Sequence, residues 1–427
     1  MSRPTLFDEG YERRKRELLG ALMKQVRPIF APDEVEVLRI DEIDHQILAQ
    51  RSGRGFVNRD ILETVLGNLL ECVAPGSHNA FGPERQAERL EEAIAELADQ
   101  LYAMIAQSLL AAGEGEGSEE QALTTAFALL WDLPRLKERA LWNRSASLRD
   151  PAVWDAYLLR RCAFNPEELA RIDFVSPLEE ALRRRDLDTY RAFMRDLRCE
   201  KIVDYQLQLV TSTYPGWRVL LYHDIAHALT QSGALEGSPD LVRHPVPFLP
   251  RAVSELGARY YQADLHPETR IGDANFLDHT HRGITTGQTG AIGSGCHLFP
   301  CTMGGLSEKV QQRHPIIGDG VFIGTDAGLF GQVRVGDRAV IGPNTEIHGR
   351  VEIGPECHIG ASVFVGTIKS GERIPGRVRL GSGVRVGAGT IIENASELDL
   401  VIPDKADIPA RCHVANDGFG QPQYVRG

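Results

Sequence analysis

Apolar residues recur every six positions through the C-terminal half of the chain, at Ile317, Ile323, Leu329, Val335, Ile341, Ile347, Ile353, Ile359 and Val365. Glycine follows directly at Gly318, Gly324, Gly336, Gly342, Gly354, Gly360 and Gly366. An amphipathic helix repeats at about 3.6 residues and a half-buried strand at about 2, so neither produces this spacing. A β-helix of six-residue units does: each unit supplies one short strand and one turn, and successive coils stack in parallel. The aliphatic side chain then fills the narrow interior, while glycine turns the corner without a clashing Cβ. The beat is weaker upstream, at Ile271, Leu277, Ile284, Ile292 and Leu298, and returns at Leu380, Val386 and Ile392. A β-helix is therefore expected over 263–392. Two polar stretches break it, GGLSEKVQQRHP (304–315) and KSGERIPGRVR (369–379), and both read as loops thrown out of the coils on one face, often the binding face. After Glu393 the period fades, so 393–427 is expected to cap the open coil end.

The first 235 residues follow the other period. YERRKRELLGALMKQV, RDILETVLGNLLECV and ERQAERLEEAIAELADQLYAMIAQSLLAA carry apolar residues at i, i+3, i+4 and i+7, the pattern of helices that each bury one stripe. GEGEGSEE (113–120) separates two helical groups, the second running to about residue 231 with prolines at Pro134, Pro151, Pro166 and Pro177. Pro245, Pro247 and Pro250 mark a connector over 236–262 that ends in a linking helix at 251–261.

Composition narrows the function classes. A hydrophobic share of 42% and a charged share of 25% are those of an ordinary globular protein. The net charge of -12 argues against nucleic acid or an anionic membrane surface as partner, although a local basic cluster still suits a small polyanionic ligand. No apolar run reaches membrane-spanning length, and MSRPTLFDEGYERRKR lacks the apolar core of a secretion signal. The 7 cysteines are scattered with no C-x-x-C spacing, as in a reduced, cytoplasmic protein.

Titratable residues gather in the first coils and the first excursion: Asp264, His266, Asp278, His279, His281, Arg282, Arg313 and His314. A histidine beside a carboxylate suits general-base work, and an arginine suits two-pronged grip on a carboxylate. The alternative for each is a solvated or hydrogen-bonded surface group, and at this level both remain open. Zinc is not expected at His279 and His281, because an i, i+2 pair on a strand points to opposite faces. Lys369, Arg373, Arg377 and Arg379 read either as charge for cofactor phosphates or as a solvated loop.

Several of these residues fall in an ordered set of motifs: D-x-H-P-x-x-x-I-G (264–272), L-D-H (277–279), G-Q-T (287–289), T-x-G-G (302–305) and R-H-P (313–315). In this order, and with YPGWRVLLYHDIAHAL and LPRAVSELGARYYQADLHP upstream, the stretch of roughly 200–350 resembles the long-form serine O-acetyltransferases, a hexapeptide-repeat acyltransferase family. The resemblance implies an α+β chain whose helical region precedes a left-handed parallel β-helix, assembled as a homo-trimer or a dimer of trimers with sites between subunits. It implies acetyl transfer from acetyl-CoA to the hydroxyl of L-serine, the step towards cysteine. His279 would be the general base and Asp264 the carboxylate that pairs with it. Asp278, Arg313 and His314 would hold the amino acid, with Arg313 on its carboxylate, and Gly305, Thr325 and Pro343 would contact the cofactor.

The chain departs from the family pattern in several places. The turn after the base reads D-H-T-H-R-G (278–283), one residue longer than the family's, and Gln288 stands where the family has glutamate. The helical-domain D-P that supplies a substrate aspartate is missing, which leaves Glu200 as the carboxylate nearest in register and Asp204 next. The chain closes in Gly427 instead of the isoleucine tail that docks on cysteine synthase, so that partnership does not carry over. The altered turn and the absent D-P motivate a second reading, a transferase of the same fold acting on another hydroxyl or amine; a third is a non-catalytic β-helix scaffold that binds a partner through its long helical half.

Overall fold

The computed structural model describes residues 59–73, 97–109, 112, 118–132, 215–235, 238–273, 275–306, 312–367 and 374–425. The helix expected in YERRKRELLGALMKQV, most of the second helical group, and Glu200, Asp204, Lys369 and Arg373 lie outside these residues.

Among the described residues five helices precede the coils: α1 (Arg59–Val73), α2 (97–109), α3 (Ser118–Trp131), α4 (Pro215–Ala228) and α5 (Leu249–Tyr261). Their i, i+3, i+4 stripes close one core, with Leu62, Leu66 and Leu69 of α1 meeting Leu97, Leu101 and Ile105 of α2, Ala122 and Ala126 of α3, and Val253 and Leu256 of α5. Glu119 and Glu120 sit in the first turn of α3, where carboxylates favour the helix dipole. The connector also holds an element that its prolines do not suggest. Gly233–Leu235 pairs antiparallel with Ser238–Arg243, and the His244 amide then donates to Thr125 Oγ1 of α3 at 3.1 Å.

α4 joins the two halves. Trp217, Leu221 and Ile225 belong to the helical core, whereas Val219 and Leu220 belong to the core of the coils. The helix seats on the first coil because Gly216 has no side chain, since a Cβ there would lie 2.0 Å from the Leu277 carbonyl oxygen. His223 Nε2 and His227 Nδ1 meet the carbonyls of Thr269 and Pro267 at 3.0 and 2.7 Å, tying α4 to the turn of the first coil.

The coils form a parallel solenoid of about seven turns. Adjacent coils pair 18 residues apart where nothing is inserted, as in Phe322↔Val340 and Val340↔His358, which is three six-residue units per turn. The first face runs through Ala263–Asp264, Ile284–Thr285, Cys301–Gly304 and the start of Ala327–Val335. The second runs through Arg270–Ile271, Ala291–Ile292 and Ile316–Ile317, and the third through Phe276–Leu277, His297–Leu298 and Phe322–Ile323. Ile317, Ile323, Leu329, Ile341, Ile347, Ile359 and Val365 all point inward and are essentially inaccessible. Cys296 and Cys301 are buried there too, and burial pushes their thiols up to about 11 and about 12, the behaviour of small apolar side chains and not of nucleophiles.

Both breaks in the beat leave from the same corner, between the first and second faces, after Cys301–Gly304 and after Phe364–Thr367. The coils continue beyond the boundary expected at 392. Leu400, Ile402, Ile408 and Val414 are fully buried, and the strand His413–Asn416 still pairs in parallel before Pro422–Val425 folds back antiparallel against it. A corner loop between Ile392 and Leu400 hides the beat, which resumes at six-residue steps from Ile402. Among the described residues no helix is long and apolar enough to cross a membrane.

Candidate functional site

The residues singled out by the sequence occupy two neighbouring corners. Asp278 and His279 follow the third-face strand of the first coil, at the corner leading to the first face. Arg313 and His314 close the first excursion, at the corner between the first and second faces. Within one chain the first face separates them.

At the first of these corners His279 has φ 51° and heads a short 3-10 turn, Thr280–Arg282. The left-handed conformation is a property of the corner, because Asp326, Asn344 and Ser362 repeat it in later coils. The longer turn throws the imidazole outward, so its side chain is 60% exposed. Asp278 Oδ1 lies 3.6 Å from His279 Nε2, and the other oxygen of the same carboxylate lies 3.6 Å from His297 Nε2. Asp264, expected beside His279, is instead held by Arg251 of α5 at 3.1 Å. Among the described residues the carboxylate within ion-pair range of His279 is Asp278. An arginine supplied by the linking helix is what competes for Asp264.

His279 and His281 do not diverge as residues on a strand would. The 3-10 turn brings their rings to 5.8 Å and perpendicular. Among the described residues no three His, Cys, Asp or Glu side chains gather as metal ligands. Beside His279 runs a ladder that the six-residue beat does not reveal. His297 stands in register with Phe276 and Phe322 on adjacent coils, and Phe299 packs against His279, His297 and Phe322. The 21-residue register of the widened first coil, not any motif, puts His297 next to Asp278.

At the second corner the motif glycines have a steric cause. A Cβ on Gly287 of G-Q-T would sit 1.9 Å from His314 Cδ2, and one on Gly305 of T-x-G-G would sit 2.8 Å from its Nε2. The imidazole of R-H-P thus lies between two bare backbones. Thr289, also of G-Q-T, orients it: its amide donates to Nδ1 at 3.3 Å, and its hydroxyl lies 2.9 Å from the same nitrogen. Nδ1 is therefore an acceptor and Nε2 carries the hydrogen. Burial holds His314 below its ordinary value, and the charges of Arg313 and His266 add to that. His266 is lowered likewise, first by burial. The imidazole of His314 is thus a neutral donor at neutral pH. Gln288, standing where the family has glutamate, donates to Glu268 at 2.8 Å.

The cofactor residues expected from the sequence divide between the corners. Thr325 and Pro343 lie on successive coils of the His279 corner, where the Asn344 amide donates to the Thr325 carbonyl at 2.9 Å. Gly305 lies at the His314 corner. Arg377 and Arg379 of the second excursion are engaged by Glu352 and Asp399, which spends their charge within the fold.

Residues 314–349 and 332–367 match the bacterial transferase hexapeptide family (six repeats). The chain is 30% identical over 178 residues to a serine acetyltransferase of Synechococcus elongatus, covering 40% of this chain and 60% of that protein. It is 37% identical over 157 residues to Probable serine acetyltransferase 3 of Oryza sativa subsp. japonica, covering 36% and 46%. The chain thus spans 46% to 60% of the length of these curated relatives. The solved structure of Entamoeba histolytica serine acetyltransferase 1 in complex with L-cysteine aligns over 70% of this chain and 85% of its own, at 19% identity and a TM-score of 0.42.

Proposed function

We propose that this hexapeptide-repeat chain is a serine O-acetyltransferase, moving an acetyl group from acetyl-CoA to the hydroxyl of L-serine in cysteine biosynthesis. The observation that carries the reading is the similarity to serine acetyltransferases together with the convergence of three of its motifs on one imidazole, His314. In this reading His279 takes the proton from the serine hydroxyl as that oxygen attacks the thioester carbonyl. The tetrahedral intermediate then expels the CoA sulfur, which recovers the proton from the imidazolium. Asp278 stabilises the charged ring from 3.6 Å, and Asp264 takes that part if Arg251 releases it. Arg313 grips the acceptor carboxylate in two-pronged fashion, and neutral His314 donates from Nε2. An alcohol is a weak nucleophile at neutral pH, and general-base help is worth about 10²–10⁴-fold.

Because His279 and Arg313 stand on different corners, the reading includes a homo-trimer in which one copy's His279 corner faces the next copy's His314 corner. Acetyl-CoA would lie in that cleft, along Thr325 and Pro343 of one copy and Gly305 of the other, and a cytoplasmic location suits the reduced thiols. A second reading, an acetyltransferase for another acceptor, is favoured by the lengthened turn, where Arg282 pairs with Asp326 at 2.9 Å beside the base. A CoA-release assay against serine, homoserine, sugars and amines decides between them. Serine should lead in kcat/KM, and another acceptor ahead by more than about tenfold would select the second reading.

A further inference from the structure

A cavity of about 220 Å³ opens at the corner from which both excursions leave. Leu306 and Arg313 of the first excursion line one side, Ile374 of the second the other, and Arg350, Gln332 and Thr367 lie between. Its floor is bare backbone at Gly331 and Gly349, with φ of 97° and 86°. A Cβ at Gly349 would fall 2.1 Å from Thr367 Oγ1, so no larger residue fits there.

Several arginines of the coils are neutralised by carboxylates, as in Arg338 with Glu356 at 2.7 Å, Arg379 with Asp399 at 3.0 Å and Arg282 with Asp326 at 2.9 Å. Among the described residues Arg313 and Arg350 have no salt-bridge partner, and no carboxylate lines the space they share. Arg350 is nevertheless anchored: its Nη1 donates to the Pro375 carbonyl at 3.1 Å and its amide to Thr367 Oγ1 at 3.2 Å. Two guanidinium groups, one of them held in place, line one cavity in a chain of net charge -12, and among the described residues no carboxylate joins them there.

We propose that this cavity is a subsite for a phosphate-class dianion held by Arg350, with Arg313 at its rim left for the acceptor carboxylate. It rests on the acetyl-transfer reading only in that acetyl-CoA would then be one source of the phosphate; a free phosphate-like anion is the other. Isothermal titration of the full chain with CoA, 3′-dephospho-CoA, pantetheine and inorganic phosphate tests it, comparing wild type with Arg350→Gln and Arg350→Lys. A charge-assisted contact predicts that Arg350→Gln weakens the phosphate-bearing ligand by about tenfold or more, that Arg350→Lys retains part of the affinity, and that pantetheine is unaffected. A loss seen with CoA but absent with 3′-dephospho-CoA assigns the 3′-phosphate, and an equal loss with both assigns the diphosphate. A loss confined to inorganic phosphate supports the subsite with a free anion as its source. Unchanged affinity of Arg350→Gln for both CoA and phosphate, with an unchanged melting temperature, overturns the proposal, as does a wild type that binds neither. Binding is read without turnover, so a chain that binds phosphate through Arg350 yet acetylates nothing would sink the acetyl-transfer reading alone.

Discussion

Replacing Gly287 by alanine adds one methyl group whose position the structure specifies. Its Cβ would sit 1.9 Å from His314 Cδ2 and 2.0 Å from Nε2, where ordinary contact begins at 3.4 Å. The ring must therefore retreat by about 1.5 Å, the difference between ordinary contact and the overlap. That retreat breaks the 2.9 Å contact with Thr289 Oγ1. A lost hydrogen bond costs about 1 kcal/mol and overpacking about 1–3 kcal/mol, so the variant should lose about 2–4 kcal/mol. Because Gly287 does not have a positive φ, alanine brings no backbone strain there, and the whole penalty should depend on the imidazole. Urea unfolding of the wild type, Gly287→Ala, His314→Ala and the double variant measures this as a coupling energy. In the His314→Ala background the added methyl has room, and its cost should fall below about 0.5 kcal/mol. An equal cost in both backgrounds would refute the steric account of the G-Q-T glycine and the placement of His314 with it.

Other outcomes follow from the same geometry. His279→Ala should lower turnover by about 10²–10⁴-fold while leaving the melting temperature within a degree or two, and undiminished CoA release would end the general-base assignment. His314 and His266 are both held below the ordinary 6.5 by burial, so the unfolded chain binds more protons in the window below that value. Stability should therefore be full above about pH 6.5 and decline as pH falls towards the lowered values, with a shallower decline in His314→Gln; a urea midpoint flat from pH 7.5 to 5 contradicts this. Asn394 is fully buried and donates to the carbonyls of Gly376, Arg377 and Leu398 while accepting from the Ser396 amide. Asn394→Leu should cost about 1–3 kcal/mol for each group left unpaired, seen as an early loss of the last coils by hydrogen exchange; protection equal to wild type would show those groups find other partners.

The cysteine chemistry and the second basic excursion illustrate how far a pattern reaches. Scattered cysteines point to reduced thiols by spacing alone, whereas the coils decide that Cys296, Cys301 and Cys357 are interior. The basic run at 369–379 reads as a solvated loop ahead of phosphate charge, and in the structure Arg377 and Arg379 pair with Glu352 and Asp399. Glu352 is 25 residues from Arg377, and Asp399 is brought beside Arg379 only by the stacking of coils. Arg350, which lines the cavity, sits inside a regular strand and carries no local mark at all.

The coils themselves are determined by the sequence alone, because a six-residue period with glycine after the aliphatic position admits one repeating backbone path and one inward direction. The same holds for the helical stripes, whose contacts are local. Asp278 meets its neighbour His279 locally, but what else engages Asp278, and why Asp264 is drawn away, is not local. It depends on a 21-residue register that brings His297 to Asp278, and on an α5 arginine that reaches Asp264 first. The division of the motif residues between two corners is likewise a consequence of coil length, since residues close in sequence are carried around the triangle while residues one coil apart are stacked 18 or more positions away. Period decides the fold, but the partner of each charged group is decided by which coil lies above it.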